Sequence, residues 1–172
     1  MPDYALIKIV FFGKIMKLSC ILTGAWIEAL LNAFFWKCML KAMYRARVEA
    51  EFSAAHFLSH YHGKCEKLHG HNYRVRLWVG GEELDEGGML VDFSLLKKAL
   101  DEAISPLDHS NLNDMDIFQN DPSAERIARF IFDRVREKLP DLGVAGSLLY
   151  AVDVFENPRS MARYLPSELP LI

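Results

Sequence analysis

Phe52-Ser53-Ala54-Ala55-His56, followed after a short loop by Cys65-Glu66-Lys67-Leu68-His69-Gly70-His71-Asn72-Tyr73, decides how this chain folds. Val48, Ala50, Phe52 and Ala54 alternate with Arg47, Glu49, Glu51 and Ser53. That is the pattern of a half-buried strand. His56 falls in step with the apolar set. Downstream, Tyr73, Val75, Leu77 and Val79 alternate with Asn72, Arg74, Arg76 and Trp78, and His69 and His71 keep step with the apolar residues. Side chains two apart on a strand share a face. If the two runs pair as neighbours, His56, His69 and His71 converge at one end of a sheet. Gly70 is expected to let the backbone approach closely there.

Three neutral imidazoles suit Zn²⁺, with Zn–N at about 2.0–2.1 Å, and leave a coordination position open for water or substrate. Manganese, iron and copper also accept imidazole, so zinc is the expected ion among several. Ordinary core or surface histidines are the plain alternative. Cys65 admits two readings. As a thiolate it completes a closed tetrahedron; as a free thiol beside a cation it is a nucleophile or general base. His60 and His62, in the loop from Phe57 to Lys64, are expected at the rim of a pocket or in solvent rather than as ligands. Trp78 is out of phase with the core face and is expected either against a neighbouring subunit or as an incidental exposed aromatic.

The rest of the chain supplies the frame. Asp92 or Ser94 caps a helix whose apolar stripe is Leu95, Leu96, Ala99, Leu100, Ala103 and Ile104; Pro106 stops it. Leu107 to Asp114 is a polar loop carrying Asp108 and His109, which serve either as a proton-transfer pair or in a local turn. Asp121 as N-cap and Pro122 as first residue open a second helix, with Ala124, Ile127, Ala128, Phe130, Ile131 and Val135 facing inward and an end near Leu139. Leu148, Tyr150, Val152 and Val154 alternate with Leu149, Ala151, Asp153 and Phe155 as a third strand. Glu156 keeps step with Val152 and Val154. A carboxylate on a buried phase needs a partner, either a guanidine-like ligand edge met in a bidentate way or an Arg or Lys of the protein. Arg159 to Tyr164 is a short fourth strand. The order ββααββ gives an α+β fold: an antiparallel four-stranded sheet with two helices on one face.

Four blocks in this order resemble the 6-pyruvoyl-tetrahydropterin synthase family, whose bacterial branch is the 6-carboxy-tetrahydropterin synthases of queuosine (7-deazaguanine) biosynthesis. They are Phe-Ser-Ala-Ala-His at 52–56, Cys-X-X-X-His-Gly-His-Asn-Tyr at 65–73, Leu107-Asp108-His109-Ser110-Asn111-Leu112-Asn113, and Phe155-Glu156-Asn157. The resemblance covers about residues 43 to 166. It implies the tunnelling fold and a homohexamer of two stacked trimers. His56, His69 and His71 are the implied zinc ligands, Cys65 the catalytic cysteine, Asp108 and His109 its working dyad, and Glu156 the anchor of the pterin ring. The implied substrate is 7,8-dihydroneopterin triphosphate, converted to 6-carboxy-5,6,7,8-tetrahydropterin with release of acetaldehyde and triphosphate. Arg74, Arg76 and Lys64 are candidates for the triphosphate. The 6-pyruvoyl product is the rival within the family. A zinc hydrolase using Glu66 as base, and a metal- or pterin-binding module without turnover, are the rivals outside it.

At 172 residues the chain fits one domain, and 51% hydrophobic with 25% charged residues is a globular composition. A net charge of −3 without a basic block gives no nucleic-acid surface. Three cysteines without disulfide spacing point to a reducing compartment, so the expected location is cytoplasmic. Residues 1–42 stand apart from the pterin synthase domain expected at 43–172. Leu18 to Trp36 is long and apolar enough for a membrane span, yet Glu28 within it is costly in lipid. A packing helix, a membrane anchor, and translation upstream of a true start at Met43 all remain open. Any membrane contact is expected only through this segment.

Overall fold

A computed structural model describes residues 9–11, 14–16 and 43–166 of the chain. The chain divides into two units, Met1–Lys41 and Ala42–Ile172. In the first, β1 (Ile9–Phe11) and β2 (Lys14–Met16) pair antiparallel, with Val10 opposite Ile15. The apolar stretch Leu18 to Trp36 lies outside the described residues. Among the described residues, no helix is long and apolar enough to cross a membrane.

The second unit is built on a long hairpin. β3 (Tyr44–His56) and β4 (His69–Gly81) pair antiparallel over their whole lengths, from Tyr44 opposite Gly81 to His56 opposite His69. The alternation read from the sequence holds. Val48, Phe52, Ala54, Tyr73, Val75, Leu77 and Val79 are buried on one face, and Phe52 stacks on Tyr73 at 4.8 Å across the pair. Such cross-strand contacts fix the register, because a slip of one residue would expose the whole apolar set.

α1 (Phe93–Ile104) and α2 (Ala124–Lys138) contribute Leu96, Ala99, Leu100, Ile127, Ala128, Ile131, Phe132 and Val135 to the same core as the apolar face of the sheet. The Asp92 carboxylate accepts the Ser94 N–H at 2.7 Å and caps α1. The expected cap of α2 is different. Ser123, not Asp121, occupies the N-cap, and the helix begins at Ala124 rather than Pro122. Asp121 is engaged elsewhere, by the Ser59 N–H and the His60 ring. Phe132 is fully buried while Phe130 is half-buried against Phe118, reversing the expected roles of those two rings.

The sheet has five strands rather than four, in the order β5-β3-β4-β6-β7. β5 (Ser110–Asn111) adds a two-residue parallel bridge to Ala54 and Ala55, too short to leave a periodic signal. β6 (Leu149–Asn157) and β7 (Ser160–Tyr164) complete the antiparallel part. A bulge in β6 inserts Tyr150, so Leu149 rather than Leu148 and Tyr150 shares the core face with Val152 and Val154. On the opposite face, the Asp153 carboxylate is buried. It accepts two bonds from Arg163, at 2.6 and 2.9 Å, and one from Trp78 Nε1 at 2.8 Å. Trp78 therefore has partners within its own chain, with the guanidinium groups of Arg47 and Arg163 over its ring.

Phe132→Ala is expected to lower the unfolding free energy by about 3–5 kcal/mol, and Phe130→Ala by less than half as much. Denaturant titration checks this; equal losses would contradict the assignment of Phe132 to the core.

Candidate functional site

The strand register places the three histidines together. His56 ends β3 directly opposite His69, which opens β4, and His71 stands opposite Ala54. All three lie on the core-side phase. Their rings are 4.6 Å (His56–His69), 5.2 Å (His56–His71) and 4.9 Å (His69–His71) apart between centroids. One ligand nitrogen from each lies within 4.8 Å of the others, so the three can hold a metal ion.

The hydrogen bonds suit that task. His56 Nδ1 lies 2.8 Å from the Pro122 carbonyl oxygen, and His69 Nδ1 lies 2.8 Å from that of Lys67. A carbonyl only accepts, so each Nδ1 carries the proton and each Nε2 keeps its lone pair. His56 Nε2 is buried with no partner among the described residues. A buried polar atom left unsatisfied is costly, and a cation shared with the other two rings satisfies it. Gly70 is not demanded by crowding: a methyl group there would meet Ala54 O at 3.4 Å, an ordinary contact.

Burial pushes the His56 and His71 imidazoles below the ordinary value, with repulsion from neighbouring histidines acting the same way. The Glu156 carboxylate opposes this in both. Phe155 stands opposite Arg74 in the β4–β6 register, so Glu156, the next residue, falls near Tyr73 and the cluster, and its charge acts on His56, His71 and Tyr73. Among the described residues no Arg or Lys pairs with Glu156. The Tyr73 hydroxyl is also buried with no partner among the described residues, and its ring lies 5.4 Å from that of His71 between centroids. Burial raises its phenol well above the usual range, so it stays neutral.

Cys65 is a half-buried free thiol on a 3₁₀ turn, Lys64–Glu66. The group that can hold an ion consists of the three histidines without it. Asp108 and His109 do meet: Asp108 Oδ2 lies 2.9 Å from His109 Nδ1. The backbone of His109 is left-handed, φ 55°, which folds adjacent side chains together. The pair also grips β3, since Asp108 Oδ1 accepts the Ser53 N–H at 2.9 Å and the His109 N–H donates to Ser53 O at 2.6 Å. The Ser53 N–H and the His109 ring hold the Asp108 carboxyl below its ordinary value. A cavity of about 540 Å³ is lined by His71 and His109 together with Ser53, Gly70, Asn72 and Asn111; Cys65 does not line it.

Other candidates lie elsewhere. His60 and His62 are exposed and pair with Asp121 and Glu66, at 2.6 and 3.3 Å. Arg74 and Arg76, considered for the triphosphate, stand on the opposite sheet face in pairs with Glu51 and Glu49, at 3.4 and 3.1 Å. Asn113 and the Pro122 carbonyl support the site, a role that the sequence pattern does not reveal. Asn113 lies inside a quoted block, but a loop asparagine carries no periodic signal.

Residues 45–167 match the family described as 6-pyruvoyl tetrahydropterin synthase. The chain belongs to this family. It is 43% identical over 130 residues to the 6-carboxy-5,6,7,8-tetrahydropterin synthase of Synechocystis sp., covering 72% of this chain and 95% of that one. With the protein of the same name from Bacillus subtilis it shares 37% identity, over 70% of this chain and 84% of the relative. The 6-pyruvoyl tetrahydropterin synthase structure from Caenorhabditis elegans superposes with a TM-score of 0.66 at 28% identity, covering 75% of this chain and 100% of the other. The tunnelling fold of the family accounts for the sheet and its two helices.

In metal-free protein, His56 and His71 are expected to titrate below the ordinary imidazole value of 6.5. Protons compete with a cation for the same nitrogens, so metal affinity is full above those values and weakens as pH falls below them. An NMR titration of the ring C–H signals checks this; midpoints at or above 6.5 for both rings would contradict it.

Proposed function

We propose that this chain is a zinc-dependent 6-carboxy-5,6,7,8-tetrahydropterin synthase acting in queuosine biosynthesis. Its substrate is then 7,8-dihydroneopterin triphosphate, and its products are the 6-carboxy pterin, acetaldehyde and triphosphate. The observation that carries this reading is the three-imidazole cluster with its fixed tautomers, in a chain that spans 95% of a relative bearing that name. Three nitrogen donors without a thiolate favour zinc in an open, catalytic coordination.

A bound zinc ion supplies Lewis acidity toward hydroxyls of the substrate side chain. The chain's own residues do the rest. Glu156, with no cationic partner among the described residues, accepts two N–H donors from the guanidine-like edge of the pterin and sets its register. Cys65, as thiolate, removes a proton from the side chain. The Asp108–His109 pair moves the second proton, with Asp108 fixing the tautomer of His109. The buried Tyr73 and His56 close the floor of the site to water.

We further propose a homo-oligomer, a hexamer of two trimers, with sites completed between copies. The edge of β3 from Tyr44 to Phe52 and the outer edge of β7 have no strand partner within this sheet. Pairing them between copies removes two exposed edges. It also gives Cys65 a route to the Asp108–His109 pair of a neighbouring copy. On this reading residues 43–172 form the catalytic domain, residues 1–42 an appended segment, and the protein works in the cytoplasm.

Cys65→Ala is expected to lower turnover of 7,8-dihydroneopterin triphosphate by about 10²–10⁴-fold while zinc stays at one per chain. Steady-state assay and metal analysis check this; unchanged turnover with zinc retained would reject the role of the thiol. Mass analysis of the wild-type products separates the carboxy product with acetaldehyde from a pyruvoyl product.

A further inference from the structure

Asn113 is buried in the short 3₁₀ turn Leu112–Asp114, and its side-chain amide makes three hydrogen bonds. Oδ1 accepts the Phe57 N–H at 2.8 Å. Nδ2 donates to the Phe57 carbonyl at 2.9 Å and to the Asn120 carbonyl at 2.9 Å. Two carbonyls facing one end and an N–H facing the other allow a single orientation of the amide.

The positions of these partners matter. β3 ends at His56, so the backbone groups of Phe57 have left the sheet ladder. Asn113 takes the place of a strand partner there, meeting both polar groups of the residue that follows His56. Asn120 stands two residues before Pro122, whose carbonyl oxygen fixes the His56 ring through Nδ1. One side chain therefore ties the exit of the ligand-bearing strand to the segment that orients the ligand's ring. That segment is strained: Gln119 and Asn120 are both left-handed, φ 52° and 63°. Such conformations persist where surrounding bonds over-determine them. Ser59 adds a second tie, through its N–H to Asp121 Oδ1 at 2.7 Å and its hydroxyl to Asn120 O at 3.1 Å.

We infer that Asn113 is a positioning residue of the metal centre, holding the His56 ring in the rotation and tautomer that aim Nε2 at the ion. The inference rests on the reading that the three histidines bind metal. Without the amide, the direct tie between the Phe57 peptide and Asn120 is lost, and the Ser59 bonds alone hold the strand exit to the 119–122 segment. The Pro122 carbonyl then holds the His56 ring less firmly. Groups that orient a metal-ligating histidine are typically worth 10–100-fold in metal affinity.

The test uses the full chain as wild type, Asn113→Ala, and Val135→Ala as a core variant that destabilises without touching the site. Zn²⁺ affinity is read by chelator competition, and the visible spectrum of the Co²⁺-loaded protein reports ligand geometry. Asn113→Ala is expected to weaken Zn²⁺ binding about 10–100-fold and to alter the cobalt bands, while Val135→Ala leaves both within about twofold. If the alanine variant does not fold, Asn113→Ser, which leaves room for a bridging water, is read in its place with the same expectation. An affinity and spectrum matching those of Val135→Ala would overturn the positioning role, with the metal reading left standing. Failure of the wild type to bind either ion would overturn the metal reading and this inference together.

Discussion

The site depends on one register, the pairing of β3 with β4 that sets His56 opposite His69. Three imidazoles share one ion only where the fold brings their backbones close together. Here they meet because adjacent strands bring directly opposed residues together and a two-residue period returns His71 to the same face. The register is held directly beneath the site by Phe52 on Tyr73, and further along the strands by the buried aliphatic residues. Core packing and metal geometry are thus one constraint. A slip that exposed Val75 and Leu77 would also scatter the three rings.

Around that constraint the electrostatics point one way. Burial pushes the His56 and His71 imidazoles below the ordinary value, the carbonyls of Pro122 and Lys67 fix two tautomers, and His56 Nε2 is buried with no partner among the described residues. Each feature alone costs stability or gains little. Together they describe a donor set prepared for a cation, with the Glu156 carboxylate, which has no Arg or Lys partner among the described residues, beside it. The Asp108–His109 pair is built differently. It is exposed and anchored to the backbone of Ser53, suited to meeting a substrate or another chain rather than to holding the core.

Much of this was legible in the sequence, for physical reasons. Strict alternation in β3 and β4 reports a sheet with one buried face, and the histidines inherit its phase. What escaped was non-periodic or depended on competition between partners. The Tyr150 bulge shifts the phase of β6 by one residue, so Leu149 packs where Leu148 was expected. Asp121 has the composition of a helix cap, but the Ser59 N–H and the His60 ring claim it and Ser123 caps instead. The parallel bridge of β5 has only two residues. Asn113 sits in a turn where no spacing rule distinguishes a structural amide from a solvated one. The grip of Asp108 on Ser53, 55 residues away, is long-range and invisible to local patterns.

The central claim is that three imidazole nitrogens share one ion without sulfur. X-ray absorption on the zinc-loaded full chain tests it most directly. The structure predicts a shell containing three imidazole nitrogens at about 2.0–2.1 Å, completed by water or another light atom. A sulfur scatterer at about 2.3 Å, or fewer than three imidazoles in the shell, would contradict it.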